Sequence, residues 1–183
     1  MEQPLTRVSD IIDHYKDNHL SRIEKELAAC KSAHDYVYGP HQNRWNGNFD
    51  DVVKDLTALK IQDWRFTNFE HLYDVIRMIF LLNGHRNAYL TIYDTALRIG
   101  YNHQEQILPS KFVYLYGNDT IGPKGGATKL FGKQWVNQHL DKDYPYRIET
   151  RLFNEEKFPN LSSWEIESIL CIYADKFTPN MQY

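Results

Sequence analysis

TNFEHLYDVIRMIFLL, residues 67–82, is the stretch whose reading decides the fold. Phe69, Leu72, Tyr73, Ile76, Ile79 and Phe80 recur at intervals of three and four, so an α-helix gathers them into one apolar stripe. Val75, Met78, Leu81 and Leu82 widen that stripe until the segment is apolar nearly all round, the mark of a central helix. Thr67 and Glu70 have the spacing of a capping box, and Asn83-Gly84 supplies a C-terminal stop. A second periodic run from Asn87 carries Tyr89, Ile92, Tyr93, Ala96 and Leu97 to a matching stop at Gly100. Two such runs across a short polar turn predict a helical hairpin.

Working outward, Val8, Ile11, Ile12 and Tyr15 predict an opening helix over 8–17. Ser21 and Glu24 have the form of a capping box for a second helix, on which Ile23, Leu27, Cys30, His34 and Val37 share one face until Gly39-Pro40. Residues 40–49 read as a polar loop, followed by a helix over 50–59. Leu108-Pro109 breaks the helical pattern, and residues 111–116 form either a short strand or one apolar helical turn, with no evident strand partner. Ala127, Leu130, Phe131, Trp135 and Val136 predict a helix reaching Leu140, with Gly132 inside it at a cost of about 1 kcal/mol. Ser162 and Glu165 cap a last helix bearing Ile166, Ile169, Leu170 and Tyr173. The expectation is a mainly α fold: a single globular multi-helix domain over 1–183, built on the central hairpin, with at most one minor β element near 111–116.

A chain of 183 residues is long enough to bury a core without disulfides or a structural metal. Cys30 and Cys171 stand far apart without ligand spacing, so two reduced thiols are expected and neither a metal nor another cofactor is implied. The first residues have no apolar signal-like core, and no segment approaches the roughly 18 to 20 apolar residues of a membrane span. Cytoplasmic residence is therefore the default expectation, with no membrane partner. The net charge of −3 gives no global pull toward nucleic acid, but residues 108–140 carry 4 basic and 1 acidic side chains. That local excess of +3 attracts anions within a screening length of about 8 Å.

The basic excess coincides with a glycine-rich loop, Gly117–Gly126, that opens into the helical pattern beginning at Ala127. Backbone amides at a helix start lack internal partners and carry the positive end of the dipole, so glycines there allow a phosphate to approach. Lys124, Gly125, Gly126, Thr128 and Lys129 are the candidate ligand-binding residues, and Tyr114, Tyr116 and Trp135 are available to stack on bases. Neither the Walker spacing nor a dinucleotide fingerprint is present, because Gly126 is followed by Ala127. The alternative is a tight turn with solvated lysines, in which the glycines supply positive φ and Pro123 fixes a corner.

Residues 121–127, IGPKGGA, resemble the hairpin of helix-hairpin-helix DNA-binding proteins, although the Gly-apolar-Gly core of that hairpin is missing. The resemblance implies contact between backbone amides and a DNA phosphate. By extension to the related DNA glycosylases it implies a nucleophilic lysine, Lys124, assisted by Asp141 or Asp143.

Asp94 and Arg98 are four apart on one predicted helix and suit an intrahelical ion pair; turned inward, Arg98 would join Lys124 in an anion clamp. Asp10, Asp13, His14 and Asp17, and separately His139, Asp141 and Asp143, form candidate hard-ligand clusters, and a solvated helix face explains each better. No nucleophile-base constellation is visible. Three functions remain: a module binding a phosphate-bearing ligand, most simply DNA or RNA; a protein-interaction domain presenting Tyr36, Tyr38, Trp45 and Trp64; and a nucleic-acid-processing enzyme using Lys124.

Overall fold

The computed structural model describes residues 4–39 and 47–183. Helix α1 (Val8–Tyr15) passes through a π-helical stretch, Lys16–Leu20, into α2 (Ser21–Ala28). Then come α3 (Ala33–Tyr38), α4 (Asp50–Leu59), α5 (Phe69–Leu82) and α6 (Tyr89–Asn102). Strand β1 (Phe112–Tyr114) leads to α7 (Gly122–Phe131) and α8 (Lys133–His139), and β2 (Arg147–Glu149) to α9 (Thr150–Glu156) and α10 (Ser163–Ile172). The fold is mainly α. The chain packs as two compact units, one of residues 1–21 with 109–183 and one of residues 22–108.

In the unit of residues 22–108 the predicted hairpin is the centre. Helix α5 packs against α6 and α4, while α6 also carries α3. Leu72, Ile76 and Phe80 of α5 and Ile92, Ala96 and Ile99 of α6 are fully buried between them. The capping residue of α5 is Asn68, one position beyond Thr67, and its side chain accepts from the His71 amide at 2.9 Å. Gly84, at φ +83°, ends the helix as the sequence suggests. Gly100 does not end α6. It lies within the helix because a Cβ there would come 2.0 Å from the Ile107 carbonyl oxygen, so its bare backbone admits the returning chain, whose Ile107 amide donates to the Gly100 carbonyl at 2.8 Å.

Two further departures have local causes. The Ser21 capping box is absent because the π-helical stretch keeps the chain helical through Ser21, at φ −60° and ψ −39°. The continuous helix expected to reach Gly39 instead breaks after Ala28, where Ser32 starts α3 by accepting from the Asp35 amide at 3.3 Å.

The other unit is organised by α10, which packs against α7, β1 and α1. Its Ser162–Glu165 capping box forms as predicted. Strand β1 finds its partner in Arg147–Glu149, antiparallel, with Val113 opposite Ile148 and both fully buried. Gly132, at φ +92°, splits the predicted 127–140 helix into α7 and α8. The C-terminus returns to α1, where the Val8 amide donates to the Gln182 carbonyl at 2.8 Å. Among the described residues no helix is long and apolar enough to cross a membrane.

Helices α7 and α10 approach closely at Gly126. A Cβ on Gly126 would lie 2.2 Å from the Leu170 carbonyl oxygen. Gly126→Ala forces the helices apart, and we expect a loss of about 1–3 kcal/mol, typical of overpacking, read as a fall of several degrees in the thermal midpoint. Gly84→Ala meets nothing within 4 Å, so only its left-handed backbone opposes it, at about 1–2 kcal/mol. An unchanged midpoint for Gly126→Ala would refute the close contact.

Candidate functional site

The glycine loop is built by a side-chain turn. Asn118 Oδ1 accepts from the Thr120 amide at 2.9 Å and the Ile121 amide at 3.0 Å, and Gly117 and Gly122 take φ of +107° and +67°. Helix α7 starts at Gly122 with Pro123 in its first turn, so Lys124, Gly125 and Gly126 are already helical. The Gly125 amide donates to the Ile121 carbonyl at 3.1 Å, and both glycines are buried. Each permits a close contact: a Cβ on Gly125 would meet Thr120 backbone at 2.6 Å, as one on Gly126 would meet α10.

The charges at this helix mouth converge on one carboxylate. Lys133 Nζ lies 3.0 Å and Lys124 Nζ 3.7 Å from Asp119. The hydrogen bond from Lys133 holds the Asp119 carboxyl below its usual range, and the charge of Lys124 adds to the effect. Thr128 Oγ1 is buried without a hydrogen-bond partner, and Lys129 occupies the last turn of α7. Of the stacking candidates, Tyr114 is buried and the Tyr116 hydroxyl bonds the buried Glu167. Trp135 stacks on Phe131 at 4.2 Å and meets Phe153 edge-on.

Arg98 belongs to the other unit, where it closes the end of α3. It donates to the Tyr36 and Val37 carbonyls at 3.1 and 3.3 Å and stands 3.8 Å from Asp94, the ion pair expected from the spacing. A cation there also complements the negative end of the α3 dipole.

Asp141, the glycosylase-like candidate, instead anchors Arg147 at 2.9 Å. The Arg147 guanidinium is buried between the Phe112 and Tyr144 rings, 4.1 and 4.0 Å from their centres. Lys124 stands beside the Asp119 carboxylate rather than in an apolar pocket, the setting a nucleophilic lysine needs. Among the described residues no three His, Cys, Asp or Glu converge as a metal site. His14 Nδ1 bonds the Tyr173 hydroxyl at 2.6 Å, and His139 Nδ1 the Trp135 carbonyl at 2.7 Å. Burial pushes the Cys30 thiol up to about 11, which leaves it unreactive.

Among the described residues of the expected aromatic surface, Trp64 is the exposed one. Tyr36 is buried, the Tyr38 hydroxyl donates to Asp50 at 2.7 Å, Trp45 lies outside the described residues, and Trp64 is 39% exposed. Trp64 stands at a cleft of about 480 Å³ that no motif announced, lined by the 62–65 loop, the 102–105 loop and Tyr36. Tyr36 and Asn102 come from the ends of α3 and α6 and Gln62 and Asp63 from a single 3-10 turn, while residues 64–65 and 103–105 are irregular; the exposed tryptophan was the one legible signal.

No protein-family model, curated protein or solved structure matches the chain.

Burial pushes the Asp141 carboxyl up, but hydrogen bonds from Arg147 and the Asp143 amide outweigh it and leave the group below its usual range. The stabilisation is therefore present above the unfolded aspartate value of about 3.9 and fades as pH falls through the lower folded value. We expect Asp141→Asn to cost about 1–3 kcal/mol at pH 7, with the gap to the parent protein narrowing as pH falls below the unfolded aspartate value and the carboxyl takes up its proton. Urea titrations across pH 2–7 measure it; a gap independent of pH would refute the role given to this pair.

Proposed function

We propose that the protein is a non-catalytic binding module for a phosphate-bearing ligand, nucleic acid by class, received at the mouth of α7. The observation that carries this reading is the convergence of Lys124 and Lys133 on one exposed carboxylate at the positive end of a ten-residue helix. Asp119 marks where negative charge is favourable there. A phosphate carries more charge than a carboxylate and more acceptor oxygens, so it competes for the same two ammonium groups. Lys129 adds to the local positive field, while Gly125 and Gly126 contribute by bringing the helix start close to its neighbours rather than by presenting amides. Within this reading the protein is cytoplasmic, with Cys30 and Cys171 as reduced thiols.

Fluorescence anisotropy of labelled single- and double-stranded DNA and RNA tests the proposal at low and physiological salt. Affinity should fall steeply as salt rises, through counterion release. The double variant Lys124→Glu, Lys133→Glu should abolish binding with the melting curve unchanged, and Asp119→Asn, by removing the internal competitor, should tighten it. Binding by the double variant equal to that of the parent protein, or no binding even at low salt, would overturn the assignment.

A further inference from the structure

We infer that the cleft of the 22–108 unit is a binding site for a neutral sugar, a ligand class unrelated to the phosphate reading and independent of it. The cleft measures about 480 Å³, within the range of small-molecule sites. Its wall offers three complementary functions. Trp64 is 39% exposed as a residue, and its ring is held in place because Nε1 donates to the Leu59 carbonyl at 2.8 Å. Such a ring packs against the C–H face of a pyranose. Asp63 and Glu105 line the cleft as acceptors for hydroxyl protons, and Gln104 supplies an amide that both donates and accepts.

Gln62 lines the cleft beside Tyr36. Its Nε2 is buried and makes no hydrogen bond of normal geometry. The amide does face the Tyr36 hydroxyl, whose pKa is raised by burial and moderated by Gln62, yet that contact falls short of satisfying the donor.

His103 holds both rims of the cleft. Its ring is buried, Nε2–H donates to the Trp64 carbonyl at 2.8 Å, and Nδ1 accepts from the Glu105 amide at 3.2 Å. Both nitrogens are thereby committed, so the imidazole serves as a brace and not as an acid or base, and the site is built to bind. A braced cleft loses little conformational freedom when it takes a ligand. Its charged side chains, Asp63, Glu105 and Arg65, sum to −1. That balance disfavours a nucleotide or other polyanion and suits an uncharged polyhydroxylated molecule.

Saturation-transfer NMR with maltose, cellobiose, lactose and N,N′-diacetylchitobiose tests the assignment on the full chain. Saturable binding of at least one sugar is expected, weakened about tenfold or more by Trp64→Ala and by Gln62→Leu, about 1.4 kcal/mol each. Trp64→Phe should restore part of the affinity, and Lys124→Glu should leave it unchanged. Melting curves of each variant separate loss of binding from loss of fold. Saturable binding of none of the four sugars would overturn the inference. So would sugar binding indifferent to both cleft variants, or ADP binding in the cleft in preference to every sugar.

Discussion

The contact between Gly126 and the Leu170 carbonyl governs the unit of residues 1–21 and 109–183. Two helix backbones can touch only where one side chain is reduced to hydrogen, and α7 meets α10 at such a point. The same segment that looked like a phosphate loop is therefore first a packing surface: Gly125 admits Thr120, Gly126 admits α10, and Ala127 is fully buried beside them. This placement fixes where α7 begins, and hence where Lys124 and Asp119 stand. Fold and proposed site share one cause.

The 22–108 unit is held by a different device. The C-terminal end of α6 carries Arg98 and Asn102, with His103 directly after it, and each reaches a backbone carbonyl far away in sequence. Arg98 takes the end of α3, Asn102 donates to the Leu27 carbonyl at 2.8 Å, and His103 takes Trp64. Helix ends and irregular loops leave carbonyls without internal partners, and these three side chains satisfy them from one post. The apolar hairpin supplies most of the burial, while the polar end of α6 decides where the irregular segments go.

These two mechanisms explain what the sequence could show. Periodicity reports burial along one element, so the hairpin of residues 67–82 and 87–99, the 50–59 helix and the Ser162 cap were legible. It does not report whether a glycine is bare for a turn or for a neighbour. Gly84 and Gly100 look alike in sequence, yet one takes φ +83° and the other lies in mid-helix against Ile107. Gly132 shows the reverse error, a helix break read as a tolerated interior glycine. Strand β2 was invisible because Arg147–Glu149 shows the burial of a strand only once Phe112–Tyr114 lies beside it. At the candidate site, the lysines and the local charge could be read. Asp119 as their partner could not, since an acidic residue in a loop is ordinarily solvated. The cleft was hidden for the same reason: Gln62, His103 and Glu105 acquire meaning only when two loops meet.

Charge distribution separates the two chemistries. Residues 108–140, with a surplus of three positive charges, contain both lysines at the mouth of α7. The cleft has the opposite balance and a larger share of uncharged amides. A polyanion that satisfies Lys124 and Lys133 gains nothing from Asp63 and Glu105, and a neutral sugar gains little from two ammonium groups that already share a carboxylate. Asp119 also limits the first site in a way that composition does not reveal. Because an exposed ion pair contributes little, an incoming anion competes readily with Asp119, but each lysine arrives partly neutralised. An anion held there binds weakly and reversibly, and its affinity rests on how many phosphates engage the surrounding basic segment rather than on the geometry of a single loop.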